Sequence, residues 1–115
     1  MIWLLLACTT AEDSTPSVCA HDPTLTWDNF GNGYVTQFCN ACHASTLPAE
    51  LREGAPMGID FDTYQGVLDY ADRIEVRTVP EGADMPPGGG PSEEERARLG
   101  EWLDCQVAAD IEALK

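Results

Sequence analysis

The sequence predicts an all-α domain, and three observations carry that expectation. Apolar residues recur at steps of three and four in three separate stretches, the spacing that gathers them on one face of a helix. Each stretch is preceded by residues suited to capping a helix: Thr26, Asp62-Thr63 and Ser92. Nowhere do apolar and polar residues alternate as they would along a half-buried strand. The 115 residues make one domain, near the lower end of what buries a sizeable core.

Residues 1–7, MIWLLLA, are apolar and lead to Cys8. Leu5-Leu6-Ala7-Cys8 resembles a bacterial lipobox, which implies removal of the leader and lipidation of Cys8. Only seven residues precede Cys8 and none is Lys or Arg, fewer than a working signal carries. Seven residues are also too few to span a bilayer. Residues 8–18 are polar, contain a proline and lack an apolar period, so they are expected to form a flexible tether. The expected domain covers residues 19–115.

Trp27, Phe30, Tyr34 and Phe38 share one helical face, with Thr26 and Asp28 as candidate caps. Gly31 and Gly33 each cost this helix about 1 kcal/mol relative to Ala, for which close approach of another helix is the expected compensation. An 18-residue segment, ASTLPAELREGAPMGIDF, separates it from the next helix, and a loop of that length needs a function. The second helix is expected over about 63–77, opened by a capping box at Asp62-Thr63-Tyr64-Gln65 and carried by Tyr64, Val67, Leu68, Ala71 and Ile74. Prolines and glycines then exclude regular structure from 79–91. Ser92 and three glutamates start the last helix, whose stripe is Leu99, Trp102, Leu103, Val107, Ile111 and Leu114. This stripe is expected to pack on the Trp27 helix.

The first helix runs into Cys39-Asn40-Ala41-Cys42-His43, the C-x-x-C-H pattern of c-type haem attachment. Two thiols three positions apart on one turn can add to the two vinyl groups, and the following imidazole then faces the iron. A redox dithiol, half a zinc site and a disulfide pair share the Cys spacing. No βαβ setting surrounds Cys39, and the further zinc ligands, Cys19, His21 and Cys105, are remote in sequence. Met85 stands in a Pro/Gly loop without periodic apolar neighbours, an odd place for a core methionine and a good one for a ligand.

Together, C-x-x-C-H after an aromatic helix, Met85-Pro86-Pro87, and a final helix with Leu99 and Trp102 resemble a class I cytochrome c domain over about residues 25–108. The resemblance implies a small helical domain wrapped around one covalent haem c, with thioethers at Cys39 and Cys42 and axial ligands His43 and Met85. It implies packing of the first and last helices at Gly31, Leu99 and Trp102. The carbonyl that receives the proximal imidazole N–H falls best on Pro56, less well on Pro48. Arg73 and Arg77 are candidate contacts for the haem propionates. The tyrosine that often bonds the methionine sulfur has no clear counterpart. Cys19 and Cys105 lie outside the family pattern, but each belongs to an end of the domain where the terminal helices meet, so a structural disulfide between them is expected.

A six-coordinate iron leaves no position for substrate, so the expectation is a one-electron carrier or relay and not an enzyme. Two rivals follow from the same residues. One is a haem sensor or peroxidase-like protein in which Met85 is displaceable, with His21 the candidate distal histidine. The other is a haem-free module stapled by disulfides. The net charge of −14, from 20 acids against six Lys plus Arg, disfavours nucleic acid and anionic lipid and favours redox partners with a basic docking face. The expected protein is a monomer, exported to the bacterial cell envelope and held at a membrane only through Cys8.

Overall fold

A computed structural model of the chain describes residues 19–115. The expected leader, Cys8 and the tether lie outside the described residues. Within them all regular structure is helical, as the periodicity implies. A π-helical turn, Trp27–Gly31, continues into α1, Asn32–Phe38. A 3-10 turn, Ala49–Leu51, interrupts the long connection to α2, Tyr64–Thr78. After the Pro/Gly loop come α3, Glu93–Trp102, a π-helical turn, Leu103–Val107, and α4, Ala108–Ala113. Among the described residues no helix is long and apolar enough to cross a membrane.

The helix starts follow local side-chain chemistry. Thr26 accepts from the Asn29 amide while Asn29 Oδ1 accepts from the Thr26 amide, a reciprocal cap that leaves Asp28 without that role. Ser92 and Glu95 form the same reciprocal pair at α3. At α2 the expected capping box is reduced to Thr63, which accepts from Gly66 N. Asp62 turns away to take both the amide and the hydroxyl of Ser45, at 3.0 and 2.6 Å. Two acceptors on one carboxylate satisfy the loop, and its pKa is lowered by the Ser45 hydroxyl and then by the Ser45 amide. Inside α2 the backbone leaves helical values at Tyr70, where the helix kinks.

The ends of the domain meet through Trp102, which is 1% exposed. Its ring lies 6.2 Å from Trp27, 6.0 Å from Phe30 and 6.1 Å from Tyr64. Gly31 makes this approach possible: a Cβ there would overlap the Trp102 ring, whereas one at Gly33 would meet nothing. The compensation expected of both glycines therefore belongs to Gly31 alone. Val67, Ala71 and Ile74 of α2 complete the core with Leu99, Leu103 and Val107, and Leu114 at the end of the stripe is exposed. Cys19 and Cys105 stand at disulfide distance, S–S 2.13 Å, across a sequence separation of 86. A crosslink closing a loop of that length contributes about 4–5 kcal/mol in the chain-entropy account.

Candidate functional site

Helix α1 ends at Cys39, and one further turn carries Cys42 and His43, whose amides both bond to the Cys39 carbonyl at 3.2 and 2.9 Å. The five motif residues are thereby one local backbone unit. The His43 ring is fixed from its Nδ1 side, 2.8 Å from the carbonyl of Ile59. A carbonyl oxygen only accepts, so Nδ1 carries the hydrogen and the bond selects that tautomer. Nε2 then holds the lone pair through which imidazole binds a metal. The His43 carbonyl accepts from Phe61 N at 2.8 Å, and the Phe61 ring lies 4.8 Å from the imidazole.

The acceptor is thus three residues beyond the expected Pro56, and Pro48 does not serve either. Pro48 O accepts from Leu51 N, and Pro56 O accepts from Ile59 N and from Arg52. The physical reason is the turn at Pro56, which brings Ile59 rather than the proline back to the histidine. Arg52, fully buried, ties the same loop from within, bonding the carbonyls of Ala44, Ala55, Pro56 and Ile59.

Burial holds both thiols towards the neutral, protonated form. Burial pushes Cys39 up to about 12. Cys42 is raised by burial and by Glu53, whose carboxylate lies 3.6 Å from its sulfur. Reactive dithiols occupy the opposite setting, a helix N-terminus or a cationic neighbourhood that favours thiolate. A thioether is uncharged and apolar, so it meets neither penalty. Among the described residues no group of three His, Cys, Asp or Glu is gathered as a metal ion requires.

With Cys39 raised in the folded state, the native chain holds a proton above the ordinary thiol range that the unfolded chain has released. The haem-free chain should therefore lose stability as pH rises from about 9 towards 12. Urea midpoints between pH 8 and 11 should fall more steeply for the wild type than for Cys39→Ala. Equal slopes would contradict this.

Met85 lies half-buried at the neck of the Pro/Gly loop, with its backbone pinned on two sides. Its amide donates to Arg77 O at 2.9 Å, and Arg96 Nη1 reaches Thr78 O at 2.5 Å and Met85 O at 3.4 Å. The far end of the loop rests on the motif helix, since a Cβ at Gly90 would stand 3.4 Å from Phe38, the residue before Cys39. Tyr34 packs its buried ring against Phe38, centroids 4.9 Å apart. Its hydroxyl is buried without a hydrogen-bond partner, and its pKa is pushed up to about 12, first by burial and then by Cys39, with Arg96 opposing.

Arg73 and Arg77 lie on the exposed face of α2, where with Asp72 and Val76 they line a groove of about 410 Å³. Arg77 is paired to Asp84 at 2.9 Å. His21 is bound to the C-terminal half of the domain, its amide donating to Glu101 and its Nδ1 lying 2.7 Å from Pro23 O. Arg52, Arg96 and Ile59 were not legible as site residues. Two lone arginines read as solvated charges, and an acceptor that is a backbone carbonyl leaves no side-chain signal.

Compared with known proteins, the chain matches no family model, no curated protein and no solved structure.

Proposed function

We propose that the protein is a one-electron carrier of the cytochrome c type, holding one haem c through Cys39 and Cys42 with His43 and Met85 as axial ligands. The observation that carries this reading is the His43 tautomer. In one backbone unit with two uncharged thiols, a half-buried imidazole is anchored through Nδ1 and leaves Nε2 available. A haem held there supplies an iron(III)/iron(II) couple. The chain's own residues have the remaining tasks. Cys39 and Cys42 fix the group as neutral thioethers, and Ile59 and Phe61 orient His43. Arg77 and Arg96 hold the Met85 backbone so that its thioether can occupy the second axial position, a ligand set that favours the reduced state. The apolar body of the domain keeps reorganisation small.

Partners are redox proteins with a basic face, matched to the charge of −14, and the lipobox-like Cys8 suits a carrier tethered in the cell envelope. The protein produced with c-type maturation enzymes tests carrier against sensor by exogenous ligands. The reduced form is expected to remain unchanged under carbon monoxide at neutral pH, and the oxidised form to bind cyanide only slowly. Rapid binding of either would replace the carrier with the sensor or peroxidase-like reading.

A further inference from the structure

We infer that Arg52 is a positioning residue for His43, a buried guanidinium that holds in place the carbonyl to which the imidazole donates. The inference rests on the proposed role of His43 as an iron ligand.

Arg52 is 0% exposed in a chain whose Lys and Arg side chains number only six. Burying a guanidinium is costly unless its hydrogens find acceptors. Here four of its five do so, all on one loop. Nε donates to Ala55 O at 3.2 Å and Nη1 to Ala44 O at 2.7 Å. Nη2 donates to Pro56 O at 2.8 Å and to Ile59 O at 3.1 Å. With both Nη2 hydrogens so used, Asp60 Oδ1 at 2.6 Å balances the charge without accepting a hydrogen bond from it.

The four carbonyls bracket the histidine. Ala44 follows His43 directly, and Ile59 O is the atom that receives His43 Nδ1–H, so one planar fork spans both ends of the loop that returns to the imidazole. Ile59 O is shared by the guanidinium and the imidazole. The turns at Pro56 and Gly58 bring it to the histidine, and a rigid cation then holds it there. Lysine would supply the charge but not the planar fork, so it is no equivalent. Arg52 is closed off from solvent, which keeps its guanidinium from serving as a surface charge.

The test is exchange of the His43 Nδ1 hydrogen, followed by NMR in the reduced, haem-loaded full chain. Arg52→Lys is expected to speed that exchange about tenfold, the effect of losing one hydrogen bond of ordinary net strength, while backbone amides of α2 and α3 keep their rates. Asp60→Asn, which leaves the fork intact, is expected to exchange as the wild type does. Unchanged exchange in Arg52→Lys would overturn the inference. So would equal acceleration of all amides, which would mark a general structural role, or acceleration in Asp60→Asn matching that of Arg52→Lys, which would assign the effect to the ion pair. Should Arg52→Lys fail to fold, the uncharged pair Arg52→Gln with Asp60→Asn is read in its place, and failure of both to fold would overturn positioning in favour of folding. A wild-type chain that takes up no covalent haem would remove the proposed function together with the inference; a loaded wild type with unresponsive variants would remove the inference alone.

Discussion

Gly31→Val is expected to leave the chain largely unfolded, and Gly31→Ala to cost about 3 kcal/mol or more. A Cβ at this position would overlap Trp102 Cζ2 and Cη2. The indole cannot retreat, because Trp27, Phe30 and Tyr64 enclose it with centroids 6.0 to 6.2 Å away. The helices must then separate, exposing a tryptophan that is now 1% exposed. A domain of this size holds only about 5–15 kcal/mol in total, so the loss is a large share of it. Gly33→Ala makes the matched control, since its Cβ would meet nothing and alanine is the better helix former by about 1 kcal/mol. Urea midpoints should therefore move in opposite directions for the two alanine variants. Equal midpoints would show that the close approach at Gly31 carries no weight.

The second large effect is expected at Met85. Met85→Ala in the haem-loaded protein should abolish the weak long-wavelength absorption of sulfur bound to ferric iron and lower the reduction potential, since thioether ligation favours the ferrous state. It should also allow rapid binding of carbon monoxide and cyanide, while leaving covalent attachment intact. The fold should survive, because the Met85 main chain fastens the loop independently of its side chain. The bonds from Met85 N to Arg77 O and from Arg96 to Met85 O persist in the variant. Absorption spectra of both oxidation states, with and without carbon monoxide, measure this. A variant with the wild-type spectrum would exclude Met85 from the iron.

Local chemistry was legible in the sequence wherever it depended on side chains at fixed spacing. The cap at Thr26, the capping box at Ser92 and the apolar faces of the three helical stretches belong to that class, whereas the reciprocal bond to Asn29 does not, and the pairing of Cys19 with Cys105 follows from the meeting of the terminal helices. The motif turn was legible too, because its residues are consecutive. What was not legible depends on where a loop folds back. Ile59 rather than Pro56 receives His43 because the chain turns at Pro56 and again at Gly58, whose φ of 89° admits no ordinary side chain without strain. Arg52 differs from a solvated cation only through the four carbonyls of its own loop that surround it. Asp62 stands where a helix start is expected and serves Ser45 instead, since two hydrogens from the preceding loop outcompete one from the helix.

The most direct measurement is the intact mass of the chain after production with c-type maturation enzymes and extraction with acidified acetone. The account predicts the polypeptide mass plus one haem, which is lost in the Cys39→Ser, Cys42→Ser double variant. A wild-type chain of bare polypeptide mass, folded and colourless, would contradict it and leave a helical module held by its Cys19–Cys105 crosslink.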